Sequence, residues 1–538
     1  MKINKIKDYP FPGEPCPVNR SPCSVFRPPF PVYFLGIGGI GMSALARYYK
    51  HAGAQVAGYD RTPSPLTAEL ECEGIGIHYE DDVTLIPPAF TASPEKTLVI
   101  YTPALPAGHR ELNYFKENNY TLIKRSKALG HIAAEKTTLA VAGTHGKSTI
   151  TTLLAHLLTQ AGEGCTAFLG GISKNYHTNL LLSDSPALVA EADEFDRSFL
   201  QLFPQIAIIT ATDADHLDIY GTAGAMKQAF AEFAQQVQPG GALILKLGID
   251  LPMPSAPFTV YRYSLDRACD FYASNIRQTD NGLSRFDLHL LGTVVPDCTV
   301  GVPGWMNIEN AVAAAAAAYL WRTERGLTKH GQYCVSPNPV QSLPADPFSV
   351  PREPFPVSRS PLSALRAALA SFSGVQRRFD VQFNTPQRTY IDDYAHHPEE
   401  LRAAITSLRE VFPQRKITGI FQPHLYTRTR DFAGGFAESL SLLDELILLD
   451  IYPARETPIA GVSSQMIFDK VTIPHKQLCT KSELMDILKT KSPEVLVTFG
   501  AGDIDRFVQP IKEWLEHGKR GTEHGKQAGN AAKGSGRR

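Results

Sequence analysis

Two glycine-rich segments, each between a short apolar run and a helical stretch, constrain this chain more than any other feature. The first, Gly36-Ile37-Gly38-Gly39-Ile40-Gly41, follows the apolar run 31–36 and precedes a helix expected over 42–51. The second, Gly143-Thr144-His145-Gly146-Lys147-Ser148-Thr149, follows the run 137–143 and precedes a helix from 148 to about 161. A strand that turns on glycine directly into a helix is the building unit of a parallel sheet with helical crossovers. Two such units far apart predict separate α/β domains.

The remaining pattern extends this division. In the first unit 54–59 and 97–101 read as further strands. In the second, 187–191 and 205–210 read as strands and an Ala-rich helix falls near 310–321. Seven prolines between Ser336 and Val357 mark 334–359 as a surface insertion. A helical pattern resumes at 362–372, and a third α/β unit runs to 517, with strands at 389–392, 416–421, 446–450 and 494–498. The expected organisation is a poorly ordered extension 1–30, domains 31–135, 136–375 and 376–517, and a disordered basic tail 518–538. Three domains also suit 538 residues, at ~100–200 residues each.

Composition excludes several classes. With 43% hydrophobic and 20% charged residues the chain is not mostly disordered. A net charge of −1 argues against a general nucleic-acid binder. Residues 1–30 are Pro-rich without the apolar core of a signal peptide. The longest apolar run, 311–321, is shorter than the ~20 residues that span a bilayer. Eight cysteines without a CxxC pair fit reduced thiols. A soluble cytoplasmic protein is expected.

Each loop implies a ligand. In the first, glycines let backbone N–H groups approach a diphosphate that the helix N-terminus also favours, and Asp60, ending the next strand, is placed for a ribose hydroxyl. Alone this is a dinucleotide fingerprint, pointing to an NAD(P)-dependent oxidoreductase, and a Gly-rich turn can also be purely structural. In the second, Lys147 suits the outer phosphates of ATP and Ser148 suits Mg²⁺. The match to GxxxxGK[ST] is incomplete, because Val141 stands where its first Gly would fall. Two nucleotide loops weaken the oxidoreductase reading: one nucleotide is the fuel and the other a handle on the substrate.

The chain resembles the Mur ligase family. The resemblance runs from about Val32 to Phe507 and rests on GIGGIGMS (36–43), AGTHGKSTITT (142–152), EADEFDRSFL (191–200), DADHLDIY (213–220), GVQRRFD (374–380), DDYAHHPEE (392–400) and FQPHLYTRTRDF (421–432). It implies an α/β fold of three domains: a Rossmann-like UDP-substrate domain, a P-loop-type central ATPase domain with a parallel sheet, and a Rossmann-like C-terminal ligase domain. The implied reaction joins an amino acid to a carboxylate through an acyl phosphate. Its reactants are UDP-N-acetylmuramate, L-alanine and ATP with two Mg²⁺, in peptidoglycan precursor synthesis.

By that resemblance Gly36, Gly38, Gly39, Gly41, Met42, Ser43 and Asp60 hold the UDP substrate. Gly143, Thr144, His145, Gly146, Lys147, Ser148 and Thr149 hold ATP, with Asn307 and Asn310 at the adenine and Arg378, Asp393 and Tyr394 completing the site. Ser148, Glu191 and His216 are the implied metal ligands. Lys147, His216, Arg378, His397, His424, Arg428 and Arg430 are the implied catalytic groups, and His396 shares the loop of His397. Apart from the family, Glu191 reads equally as a solvated acid, His216 as a helix cap, Asn307 as a helix N-cap, and the HxxxRxR stretch as a solvated face. Arginine suits carboxylate and phosphate because its planar fork binds both bidentately.

Two positions depart from family patterns. Met306 stands where a His often precedes the first Asn. Ala231 stands where some relatives carry a carbamylated Lys, which the alanine-adding branch also lacks. Alternatives are a recycling ligase that adds a peptide to the same sugar nucleotide, the oxidoreductase, and a non-catalytic nucleotide sensor. Near-neutral charge is blind to such a site, whose positive groups are local.

Overall fold

A computed structural model describes residues 30–106, 108–213, 217–252, 257–279, 282–324, 361–454 and 456–517. The expected extension 1–30, apart from Phe30, the 334–359 insertion, the tail and His216 lie outside the described residues. The chain divides into two compact units, with the boundary between His131 and Ile132.

In the first unit β1 (Pro31–Leu35), β2 (Gln55–Tyr59), β3 (Gly76–His78), β4 (Leu98–Tyr101) and β5 (Thr121–Lys124) form one sheet in the order β3-β2-β1-β4-β5. All its pairs are parallel. β1 meets β2 on one side and β4 on the other, so the strand order switches direction at its C-terminal end. That crevice is where α/β sheets bind ligands, and it is where the first glycine loop emerges. Tyr33, Leu35, Phe90, Val99 and Phe115 pack the core.

The second unit holds two sheets among the described residues. The first contains β6 (Thr137–Ala142), β7 (Thr166–Phe168), β8 (Leu180–Leu181), β9 (Ala187–Glu191), β10 (Ile206–Ile209), β11 (Ala242–Lys246), β12 (Thr259–Ser264), β13 (Phe271–Gln278), β14 (Ser284–Leu290) and β15 (Thr293–Thr299). Their order is β15-β14-β13-β12-β11-β10-β6-β9-β7-β8. β6 lies parallel to both β9 and β10, so its C-terminal end is again a switch point. The apolar run 311–321 belongs to the helix Trp305–Glu324, whose alanines 311 and 313–317 are fully buried against this sheet. Small side chains let the helix approach closely. Among the described residues no helix is long and apolar enough to cross a membrane.

The other sheet orders β16 (Asp380–Asn384), β17 (Thr389–Asp393), β18 (Ile417–Phe421), β19 (Glu445–Leu449), β20 (Lys476–Cys479) and β21 (Val495–Phe499) as β16-β17-β21-β18-β19-β20. It is parallel except for β16. The expected α/β fold is therefore present. The antiparallel addition β13–β15 is a feature that the strand–helix reading omits. Its signal is the alternating burial of Ser284–Leu290, the period of a half-buried strand.

Candidate active site

The first glycine loop has a conformation that side chains would not permit. Gly36 has φ +85°, and a Cβ at Gly38 would press on Thr67 and Asp60. The Gly38 amide donates to Asp60 Oδ2 at 2.7 Å, so the acid that follows β2 reaches the loop. A Cβ at Gly41 would lie 2.6 Å from Arg125 Nη1. Arg125 thus brings a cation to the start of the helix Ile40–His51, a residue sequence reading does not single out. Met42 and Ser43 are buried in the first turn of that helix, where the Ser43 hydroxyl donates to the Ile40 carbonyl at 3.0 Å. Gly39 is the N-cap residue.

The second loop leaves β6 and enters the helix Lys147–Gln160. Gly143 has φ +123°, and a Cβ there would overlap the Thr210 hydroxyl; Gly146 has φ +80° and abuts Asn310. The Thr144 amide donates to the Ala211 carbonyl at 3.2 Å, and the Thr210 hydroxyl donates to the His145 carbonyl. The residues after β10 therefore clamp the loop. Ser148 is buried in the helix's first turn, with Thr149 beside it.

Lys147 Nζ donates to the Gly143 carbonyl at 2.7 Å and to Glu194 Oε1 at 2.8 Å. Burial opposes charge on Lys147, but the Glu194, Glu191 and Asp193 carboxylates outweigh it and raise its pKa. Burial pushes the Glu194 carboxyl up against the pull of Lys147. The Glu194 pairing depends on tertiary contact and carries no sequence signal beyond the acidic run 191–196.

Glu191 ends β9 beside this loop. Its carboxylate lies where a Cβ at Gly170 would stand, and its buried Oε2 has no hydrogen-bond partner among the described residues. A buried carboxylate oxygen without a hydrogen-bond partner, close enough to act on Lys147 of this loop, suits a hard cation. Mg²⁺ is commonly held by one or two carboxylates, with phosphate and water completing the shell. Ser148 and Glu191 fit such an ion. Among the described residues no cluster of three or more His, Cys, Asp or Glu forms an all-protein cage.

Asn307 and Asn310 lie in the first turns of Trp305–Glu324. Asn307 does not serve as an N-cap: its Nδ2 donates back to the Pro303 carbonyl at 2.6 Å, and its Oδ1 accepts from Asn310 at 3.4 Å. Met306 packs against the apolar cluster of the third sheet. At the expected carbamyl-lysine position Ala231 is fully buried.

The third sheet brings the other expected groups to the C-terminal ends of β17 and β18. Asp393 accepts from the Phe379 amide at 2.7 Å and the Ala395 amide at 2.8 Å. Burial pushes its carboxyl up to about 6, opposed by Arg378. The Arg378 guanidinium lies over the Tyr394 ring at 5.0 Å. Its neighbour Arg377 is used internally, bonding Asp392 Oδ2 at 3.1 Å and the Gly500 carbonyl at 2.7 Å.

His424 lies 3.4 Å from Arg428 and its ring stacks with Tyr452, while the His396 ring stands 5.9 Å away. His397 is buried and packs edge-on against Phe432. Arg430 does not join this group. Two residues past Arg428 on the helix Tyr426–Leu440, it falls on another face, half exposed, and pairs with Asp431 at 2.7 Å.

The domain models that match are Mur ligase family, catalytic domain, over residues 31–137; Mur ligase middle domain, over 141–318; and Mur ligase, glutamate ligase domain, over 377–502. A UDP-N-acetylmuramate–L-alanine ligase of Parabacteroides distasonis is 52% identical over 486 residues, covering 90% of this chain and 97% of that protein. One of Porphyromonas gingivalis is 48% identical, covering 90% and 99%. A solved UDP-N-acetylmuramate–alanine ligase of Thermotoga maritima is similar at TM-score 0.70 and 25% identity, covering 91% of this chain and all of that one. The solved murein peptide ligase of Psychrobacter arcticus shares the fold, at TM-score 0.60 and 20% identity over 90% of this chain and 98% of that one. The chain belongs to the Mur ligase family.

Proposed function

We propose that this chain joins L-alanine to the lactyl carboxylate of UDP-N-acetylmuramate while converting ATP to ADP and phosphate, a step of peptidoglycan precursor synthesis in the cytoplasm. The observation that carries this reading is the 52% identity to an L-alanine ligase over 90% of this chain and 97% of the Parabacteroides protein. Residues 31–135 bind the UDP substrate, 136–375 the ATP, and 376–517 supply the groups that meet the reacting centre.

In the first half-reaction a carboxylate oxygen attacks the γ-phosphorus, the bond to ADP breaks, and an acyl phosphate forms. In the second the alanine amine attacks the acyl carbon, the amine loses a proton, and phosphate leaves from the tetrahedral intermediate. Each step concentrates negative charge, so fixed cations and oriented donors lower the barrier. The amides of 143–149 cradle the phosphates and Lys147, held protonated, faces the outer ones. Arg378, steadied over Tyr394, meets the transferring group, and His424 with Arg428 orients the carboxylate and the incoming amino acid. Mg²⁺ held by Ser148 and Glu191, and a second Mg²⁺ with His216 among its ligands, would neutralise phosphate charge.

The recycling reading shares every phosphate contact and differs in the amine. Mass spectrometry of the UDP-sugar product, with L-alanine and a tripeptide in competition, separates them: the account expects the alanyl product, and a peptidyl product overturns it.

A further inference from the structure

The geometry points to Glu400 as a positioning residue that acts through His145, tying the phosphate loop to the C-terminal ligase domain. Glu400 stands at the third position of the helix Pro398–Val411, whose N-cap is His397. Its Oε2 accepts from the amides of His396 at 3.0 Å and His397 at 3.3 Å, and lies 3.2 Å from His396 Nδ1, which is bonded to the Tyr394 carbonyl. One oxygen is enough to cap this helix, and backbone amides are its usual partners.

The other oxygen points out of the domain. Glu400 Oε1 lies 3.5 Å from Nδ1 of His145, while Asp213 Oδ2 lies 3.2 Å from Nε2 of the same ring. His145 thus sits between a carboxylate from the central domain and one from the ligase domain. Burial opposes its charge, but the Asp213 and Glu400 carboxylates on either side of the ring outweigh it and hold its pKa up at about 9. The His397 ring stands 5.7 Å from the His145 ring, and the His145 carbonyl is clamped by Thr210.

His145 lies two residues before Lys147, so its ring and carbonyl set the path of the loop amides that cradle phosphate. A fixed cation between two carboxylates keeps that loop in one shape, and only the Glu400 side depends on the ligase domain. ATP binding is therefore coupled to the docking of the His396–Glu400 segment. The cost of losing the contact falls on ATP, while the UDP substrate, bound by residues of the other unit, is untouched.

This inference rests on the ligase reading, and the experiment separates the two. The full-length protein and its Glu400→Gln, Glu400→Asp, His145→Asn and Glu400→Gln/His145→Asn variants are compared by steady-state phosphate release. Calorimetric titration with ATP and, separately, with UDP-N-acetylmuramate accompanies it. Glutamine keeps an oxygen for the cap amides but loses the charge facing His145, so the melting temperature should hold while ATP affinity falls about tenfold. Glu400→Asp, which keeps the charge, should fall between wild type and Glu400→Gln. The double variant should be no worse than the weaker single one, and UDP-substrate affinity should stay within about twofold throughout.

Unchanged ATP affinity in Glu400→Gln, multiplying effects in the double variant, or a melting temperature that falls in step with activity would overturn the inference. Wild-type protein that binds ATP without L-alanine-dependent turnover would overturn the ligase reading instead. The ATP titrations would still decide the role of Glu400.

Discussion

Lys147 Nζ lies 2.8 Å from Glu194 Oε1, and Glu194 is 2% exposed. In the proposed function Lys147 meets the outer phosphates of ATP, and this pairing would aim it before nucleotide arrives while neighbouring carboxylates keep it protonated. Lys147→Ala should abolish turnover while UDP-substrate affinity, measured by titration, stays near wild type. Loss of UDP-substrate affinity in that variant would contradict the division of labour between the two loops.

Gly170 gives the Glu191 carboxylate its place. Alanine there would push the end of that side chain aside, a movable group rather than backbone. Gly170→Ala should therefore fold, at a cost of about 1 kcal/mol, and need severalfold more Mg²⁺ for half-maximal activity. A Mg²⁺ titration that superimposes on wild type would remove Glu191 from the metal site.

Adjacent arginines separate structure from chemistry. Arg377 pairs with the fully buried Asp392 and bonds the Gly500 carbonyl. Arg377→Ala should destabilise the chain by about 3 kcal/mol, toward the low end for a broken buried pair because Arg377 itself is partly exposed. Arg378→Ala should leave the melting temperature near wild type and reduce kcat by about a hundredfold or more, the scale of one charge-stabilising contact. The reverse pattern in melts and rates would exchange their roles.

Glu111 is fully buried in the first unit, accepts from the Tyr33 hydroxyl at 2.9 Å, and lies 3.4 Å from His78. Burial pushes its carboxyl up to about 8. The group then binds its proton more tightly folded than unfolded, where carboxyls titrate near ~4.3. Its contribution to stability is complete below the unfolded value and is lost as pH rises through about 8. Thermal melts should therefore fall more steeply between pH ~4.5 and ~8 for wild type than for Glu111→Gln. Parallel curves would place the carboxyl's titration elsewhere.

Much of this was legible in sequence because backbone geometry demanded particular residues. Gly143 and Gly146 adopt positive φ against Thr210 and Asn310, so the loop can be written with little else. Asp60 and Glu191 are legible for a related reason, since one follows and the other ends a strand beside a glycine loop. What was hidden depends on contacts between distant segments. Glu400 and Asp213 meet at His145 only in the folded chain, and nothing local distinguishes Arg377, which braces the fold, from Arg378. Arg430 shows the converse: it sits in the same short motif as Arg428, yet helical periodicity turns it to another face.

The proposed reaction is an ATP-dependent ligation of L-alanine to UDP-N-acetylmuramate. Phosphate release by the intact chain, with ATP and UDP-N-acetylmuramate present and each amino acid added in turn, decides it. Release that requires the sugar nucleotide and is stimulated by L-alanine is expected; no stimulation by L-alanine, glycine or L-serine would contradict it.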